Sequence, residues 1–232
     1  MHSNKYTFIY AAALSIVTAV LLAFAAEGLK PAQEANIALD KKTSILRSVR
    51  LPAAEREVIE KIYAERVQAI VVNSKGEEVS GVQADEIVLK DELAIPVEAR
   101  NLPLYIYTGE DGKKYYIVSG QGLGLWGPIW SWLSLEADFN TVYGAFFAHK
   151  SETPGLGAEI ADIPFQKQFE GKKIMSADNR FISVNVIKPS AKASFGNEHR
   201  VDGVSGGTIT STGTDKMLKK CIEPYLAYFE KL

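Results

Sequence analysis

Between Tyr6 and Ala26 the chain has no charged side chain, and Leu, Ala, Val, Ile and Phe dominate. A run of this length exceeds the ~18 apolar residues that read as a membrane-crossing helix. A cleaved signal peptide is the competing reading, because Ala23-Phe24-Ala25 mimics a small-x-small cleavage site. The run is longer than a signal core and only Lys5 gives the preceding segment charge, which favours a retained anchor. Lys5 and the free amine lie on the short side, and Glu27 opens the other. That asymmetry favours an N-terminus in the cytoplasm and the remainder outside. With no ionisable residue, the segment offers no ion or proton pathway of its own.

The rest of the 232 residues suffices for one sizeable domain. A net charge of −2 gives no case for nucleic acid as a partner. The single cysteine, Cys221, excludes an intrachain disulfide and a multi-cysteine metal or iron–sulfur site, and reads as a small buried residue on the last helix. The expected organisation is a short cytoplasmic N-terminus at 1–5, a transmembrane helix at 6–26, a helical juxtamembrane segment at 27–72 and a domain at 73–232.

In the helical segment, Ala35, Leu39, Ile45, Leu46 and Val49 recur near the helical period. Pro52 breaks it, and a second helix from Ala53 carries Val58, Ile59, Ile62 and Val67 on its apolar face. Leu104–Tyr107 and Tyr115–Val118 flank Gly109-Glu-Asp-Gly112 and predict a hairpin. Val142–Ala148 and Phe181–Ile187 read as further strands, and Met217–Phe229 as a closing helix. Helices, then antiparallel strands, then a last helix predict an α+β domain with a mainly antiparallel sheet and flanking helices.

Three glycine-containing loops carry the chemistry. Gly122-Leu-Gly-Leu-Trp-Gly127 formally matches a dinucleotide-binding G-x-G-x-x-G, but Pro128 follows at once and the flanking strands read as a hairpin. Of the three tryptophans in and after it, two are expected to pack in the core. Ser151-Glu-Thr-Pro-Gly-Leu-Gly157 is a double turn. Asp202-Gly-Val-Ser-Gly-Gly-Thr-Ile-Thr-Ser-Thr-Gly213 is a hydroxyl-rich segment without the lysine and following serine or threonine that a phosphate loop of the nucleoside-triphosphatase type requires after its last glycine. Taken alone it reads as a turn capping the final helix through Thr212 or Thr214. His149 and His199 have no metal-ligand spacing, and His199 reads as a surface residue.

Together the loops carry a resemblance. Asp202-Gly-Val-Ser-Gly-Gly-Thr208 resembles the flavinylation signature of the FMN-binding family: Asp, two free positions, Ser or Thr, Gly, a small residue, then Thr or Ser. In that family the last hydroxyl is esterified to FMN through its phosphate, and the matching residue is Thr208. The small residue is usually alanine, and here it is Gly207. Glu152-Thr-Pro-Gly-Leu-Gly157 resembles the family's flavin-cleft loop, and Gly124-Leu-Trp-Gly127 its aromatic loop near the isoalloxazine. Leu29-Lys-Pro-Ala-Gln-Glu-Ala-Asn36 is similar to the segment after the anchor in the branch of C subunits of sodium-translocating NADH:quinone oxidoreductases. The G subunits of Rnf electron-transport complexes share the motif and topology and are the nearest alternative. An anchored ligand-binding module without a redox role is the alternative of another class.

The resemblance implies covalent FMN on Thr208, with its ring against Leu125 or Trp126 and with Glu152, Thr153 and Leu156 on the other loop. Ser205, Gly206 and Gly207 would surround the attachment, and Asp202 would be read by a flavin transferase. The chain would relay electrons within a sodium-pumping NADH:quinone (ubiquinone) oxidoreductase, without an NADH or quinone site of its own. Its partners would be the other subunits of the complex, the transferase and the lipid bilayer around 6–26. It would lie in a bacterial inner membrane, with the FMN-binding domain on the periplasmic side.

Overall fold

The computed structural model describes residues 3–192 and 194–232, and two compact units part between Lys41 and Lys42. Met1 and His2, the start of the segment expected ahead of the span, lie outside the described residues, as does Ala193.

The first unit is carried by helix α1, Asn4–Ser48, which is long and apolar enough to cross a membrane. Phe8, Leu14, Ile16, Leu22 and Phe24 all stand exposed along it. Over Phe8–Phe24 the helix is apolar on every side and exposed, which matches hydrocarbon rather than water. The helix runs through Pro31.

In the second unit, the end of α1 is followed by α2 (Arg56–Arg66) and then directly by β1 (Val67–Val72). The sequence pattern predicts a helix continuing through Val72. Instead, Val67 is the C-cap of α2, and β1 pairs antiparallel with β2 (Leu102–Thr108), Val67 opposite Tyr107 and Val72 opposite Leu102. The segment between them holds two short 3-10 turns and a one-turn helix, α3 (Leu89–Glu92). The meander continues through β3 (Lys114–Leu123), β4 (Pro128–Leu135) and β5 (Val142–His149), in the order β1-β2-β3-β4-β5. The hairpin expected around Gly109–Gly112 is present, with Leu104 opposite Val118.

Strand periodicity fixes what each face does. Leu104, Val118, Leu133 and Ala145 line up across four strands and join one buried cluster. That cluster is completed by α5 (Thr208–Ile222) and the segment after it, through Met217, Leu218, Ile222, Tyr225 and Phe229. Each such side chain, once buried, contributes roughly 1.5–3 kcal/mol. On the other face, Tyr105, Ile117, Ser134 and Gly144 form the matching row. Ser134 donates to the Ser48 carbonyl (2.7 Å) and accepts from the Gly144 N–H (2.9 Å), which fastens the last turn of α1 to a bulge in the β4–β5 ladder. The Arg47 and Arg50 guanidiniums lie over the Phe146 and Tyr143 rings, 4.4 and 4.2 Å from their centroids.

After β5 come a 3-10 turn (Gly157–Ala161), α4 (Ile163–Lys167), and a two-stranded parallel pair, β6 (Asn185–Ile187) with β7 (Arg200–Asp202). The strand expected from Phe181 is confined to its last three residues. Phe181 makes only an isolated bridge to Met175, and Ser183 adopts a positive φ of 67°, which breaks the extended run. A last short helix, α6, spans Leu226–Phe229.

Candidate functional site

The three loops converge. Leu125 and Trp126 from the β3–β4 turn, Glu152, Thr153 and Leu156 from the loop after β5, and Gly206, Gly207 and Thr208 at the start of α5 line one cleft of about 220 Å³. Gly157, Ile209 and Thr210 complete it.

Each loop is held by its neighbour. The β3–β4 turn closes through the Gly124 N–H donating to the Gly127 carbonyl (2.8 Å). This leaves Leu125 and Trp126 pointing out, 50% and 65% exposed. No helix follows, so the glycine pattern serves an antiparallel hairpin and not the strand–helix crossover of a dinucleotide site. The loop after β5 is tied to this turn by Lys150 N–H to the Pro128 carbonyl (3.0 Å) and by the Ser151 hydroxyl to the Trp126 carbonyl (3.0 Å).

Glu152 is the centre of the arrangement. Its side chain is buried, with the residue 5% exposed. Oε1 accepts from the Trp126 N–H (2.8 Å), and Oε2 accepts from the Thr210 hydroxyl (2.5 Å). One carboxyl group therefore joins all three loops. It can do so only because Gly124 and Gly157 leave room: a Cβ on Gly124 would stand 2.6 Å from Oε1, and one on Gly157 would collide with Oε2. The Glu152 N–H in turn donates to His149 Nδ1 (3.2 Å), so His149 carries any neutral-ring proton on Nε2.

Thr208 is the first residue of α5, and its side chain is exposed. The helix starts here, nine residues ahead of the expected Met217. Gly207 is the N-cap and has no side chain to satisfy the first turn. Thr212 and Thr214, expected as caps, lie inside the helix and donate backwards to the Thr208 and Thr210 carbonyls (2.9 and 3.0 Å). An uncapped helix start exposes N–H groups and a positive dipole end, both favourable to an anion. Gly207 also suits its surroundings: a Cβ there would press on Val204 at 3.2 Å and on the Gly157 Cα at 3.3 Å.

The neighbouring hydroxyls are less available. Thr210 is buried on Glu152, and Ser211 is buried and accepts from the Val204 N–H (3.0 Å). Ser205 is exposed and lines a second cavity of about 430 Å³, with Lys188 and Ser211. Asp202 also lies outside the cleft and is paired with Arg200 (2.8 Å). Thr208 lines the first cleft, this second cavity and a third, larger groove along α5.

The structure brings Glu152, Leu125, Trp126 and Thr208 to one cleft, as the sequence leads one to expect, but the Thr210–Glu152 bond is not legible in the sequence, since nothing local links residues 58 positions apart. His199, expected at the surface, is 5% exposed, and its Nδ1 lies 2.7 Å from the Lys173 carbonyl. None of the tryptophans is fully buried, although Trp132 packs against Phe146. Cys221 is buried as expected, and burial pushes its thiol pKa up. Among the described residues, no group of three or more His, Cys, Asp or Glu could hold a metal ion.

Replacing Glu152 by alanine is expected to lower stability by about 2–3 kcal/mol, because the buried Thr210 hydroxyl loses its acceptor and the loops lose their joint. Glu152→Gln keeps the shape and one acceptor, and should cost about half as much. Urea unfolding of the purified chain in detergent measures both, and equal losses would contradict the joint described above.

Residues 124–223 match the model of the FMN-binding domain family. The C subunit of the Na(+)-translocating NADH-quinone reductase of Haemophilus ducreyi is 32% identical over 94% of this chain and 91% of its own length. Its counterpart from Neisseria meningitidis serogroup B is 32% identical over 97% and 93%. The crystal structure of the counterpart from Parabacteroides distasonis is 39% identical and superposes with a TM-score of 0.78, covering 87% of this chain and 96% of that one. Identity at this level over nearly the whole length shows that the chain belongs to the family of Na(+)-translocating NADH-quinone reductase C subunits.

Proposed function

We propose that the chain is a membrane-anchored flavoprotein subunit that relays electrons within a sodium-translocating NADH:quinone reductase through FMN esterified to Thr208. The observation that carries this reading is the convergence of three loops on an exposed threonine hydroxyl at a helix N-terminus. The residues fit the group. Leu125, Trp126 and Leu156 offer apolar surface to a flat ring, Thr153 offers a hydroxyl beside it, and Gly206 and Gly207 leave the approach to Thr208 open. The phosphodiester's charge would sit at the positive end of α5. When bound, FMN supplies the electron chemistry; the protein supplies its position and surroundings.

Electron transfer through a series of fixed cofactors favours a tethered flavin over an exchangeable one, and needs neither an NADH nor a quinone site on this chain. Asp202, exposed at the end of β7, is assigned to recognition by the flavin transferase, with Ser205 beside the attachment point. Residues 6–26 would lie in the lipid bilayer of a bacterial inner membrane, with 1–5 in the cytoplasm and the flavin on the periplasmic side. The lysine before the span and the acidic residue after it support that orientation.

The test is to produce the chain with its flavin transferase, denature it, and analyse its proteolytic peptides by mass spectrometry. The peptide containing Thr208 should carry the mass of FMN less one water. An unmodified peptide, from a preparation in which the transferase modifies a known substrate, would sink the covalent-flavin reading.

A further inference from the structure

The groove along α5 is the largest of the described cavities, at about 1290 Å³. Leu123, Trp130 and Met217 give it an apolar interior, and Thr208 and Ile209 stand on one wall. Lys90, Lys150, Lys216 and Lys220 surround it, and no carboxylate lines it. Among the described residues, none of the four lysines forms an ion pair. Lys216 and Lys220 are four apart on α5 and so share one face of the helix. Like charges at this spacing repel. Lys219, by contrast, is paired with Asp215 at 2.9 Å.

We propose that this groove is the docking site for an acidic face of the redox partner within the complex that exchanges electrons with the group on Thr208. The proposal rests on the flavoprotein reading above. Four unneutralised cations around an apolar floor match a carboxylate-rich surface that carries an apolar side chain. The charges orient and steer, and the floor supplies the desolvated contact. The groove exceeds the roughly 300–1,000 Å³ of small-molecule pockets, which suits a protein protrusion better than a metabolite. Its position gives the contact a purpose, because Thr208 borders both groove and cleft. A protein seated in the groove lies beside whatever Thr208 carries. Leu123 and Ile209, 73% and 57% exposed at the edge, extend the apolar contact.

Zero-length carbodiimide coupling joins a lysine amine to a carboxylate that touches it. It would be applied to the intact detergent-solubilised complex, oxidised and after NADH reduction. Peptides containing Lys216 or Lys220 are expected joined to Asp or Glu of a different polypeptide of the complex, with the internal Lys219–Asp215 product as the positive control. The exposed pair Lys216→Gln and Lys220→Gln should remove those products, leave FMN on Thr208, and slow NADH-driven reduction of that flavin about tenfold. Absence of any product with a different polypeptide, while the control forms, overturns the proposal. So does protection of the four lysines only by vesicles of anionic phospholipid, which would assign the groove to lipid headgroups. Cross-links to a different polypeptide from a chain lacking FMN would uphold the docking surface while sinking the flavin reading.

Discussion

A Thr208→Val chain made with the flavin transferase is expected to run as a dark band under ultraviolet light, and the unsubstituted chain as a fluorescent one. Threonine and valine share their branched shape, so the exchange removes one hydroxyl and little else. Thr208 is exposed at a helix start, and among the described residues no core hydrogen bond depends on its side chain. Stability should stay within about 0.5 kcal/mol of the unsubstituted chain, which separates loss of the attachment from loss of the fold. Thr208→Ser keeps a hydroxyl at the same helix position and should keep the band. The environment of the other hydroxyls sharpens the experiment. Thr210 is 1% exposed and committed to Glu152, and Ser211 is 6% exposed and committed to the Val204 N–H, so neither offers a free oxygen. A weak residual band would therefore direct attention to Ser205 or Thr212, both exposed. A band as bright as the original would remove Thr208 from the role.

What the sequence revealed of this site depended on locality. The apolar run, the β2–β3 hairpin and the three loops are contiguous stretches whose pattern or turn chemistry is complete within a short span. Val67–Val72 is different: its apolar residues continue the face of the preceding helix, and only pairing with Leu102–Tyr107, thirty or more positions on, makes it a strand. The N-terminal half of α5 was hidden for the opposite reason. Thr208–Thr214 is threonine, serine, isoleucine and glycine, a poor helix sequence by propensity. Tertiary contacts hold it helical: Thr210 is anchored on Glu152, and Thr214 is fully buried. The Asp202–Thr208 string could be recognised by its resemblance to a family signature, yet its shape, with the turn at Ser205–Gly206 and the helix opening at Thr208, comes from those distant contacts.

Gly213 gives the most direct measure of how tightly that helix is seated. In an ordinary exposed helix interior, glycine to alanine stabilises by about 0.5–1 kcal/mol, through reduced chain entropy and better propensity. Here the opposite sign is expected. A Cβ on Gly213 would overlap the Leu123 carbonyl oxygen at the end of β3, and would lie 3.1 Å from its carbonyl carbon. The obstacle is backbone, at the lip of the turn that presents Leu125 and Trp126, so it cannot swing aside as a side chain would. Overpacking of this kind costs about 1–3 kcal/mol, more when backbone must shift, which exceeds the propensity gain. For a domain of this size, a net loss of about 2–3 kcal/mol lowers the melting midpoint by roughly 4–12 °C for Gly213→Ala. Gly213→Val should lose more, since it adds β-branching and volume at the same contact. The site should respond with the fold. Moving α5 off β3 draws Thr210 from Glu152, so hydrogen exchange at the Trp126 amide, whose acceptor is Glu152 Oε1, should accelerate in Gly213→Ala. Thermal unfolding in detergent gives the sign at once: a raised midpoint would mean that helix and strand do not meet this closely, and that the cleft is set by the loops alone.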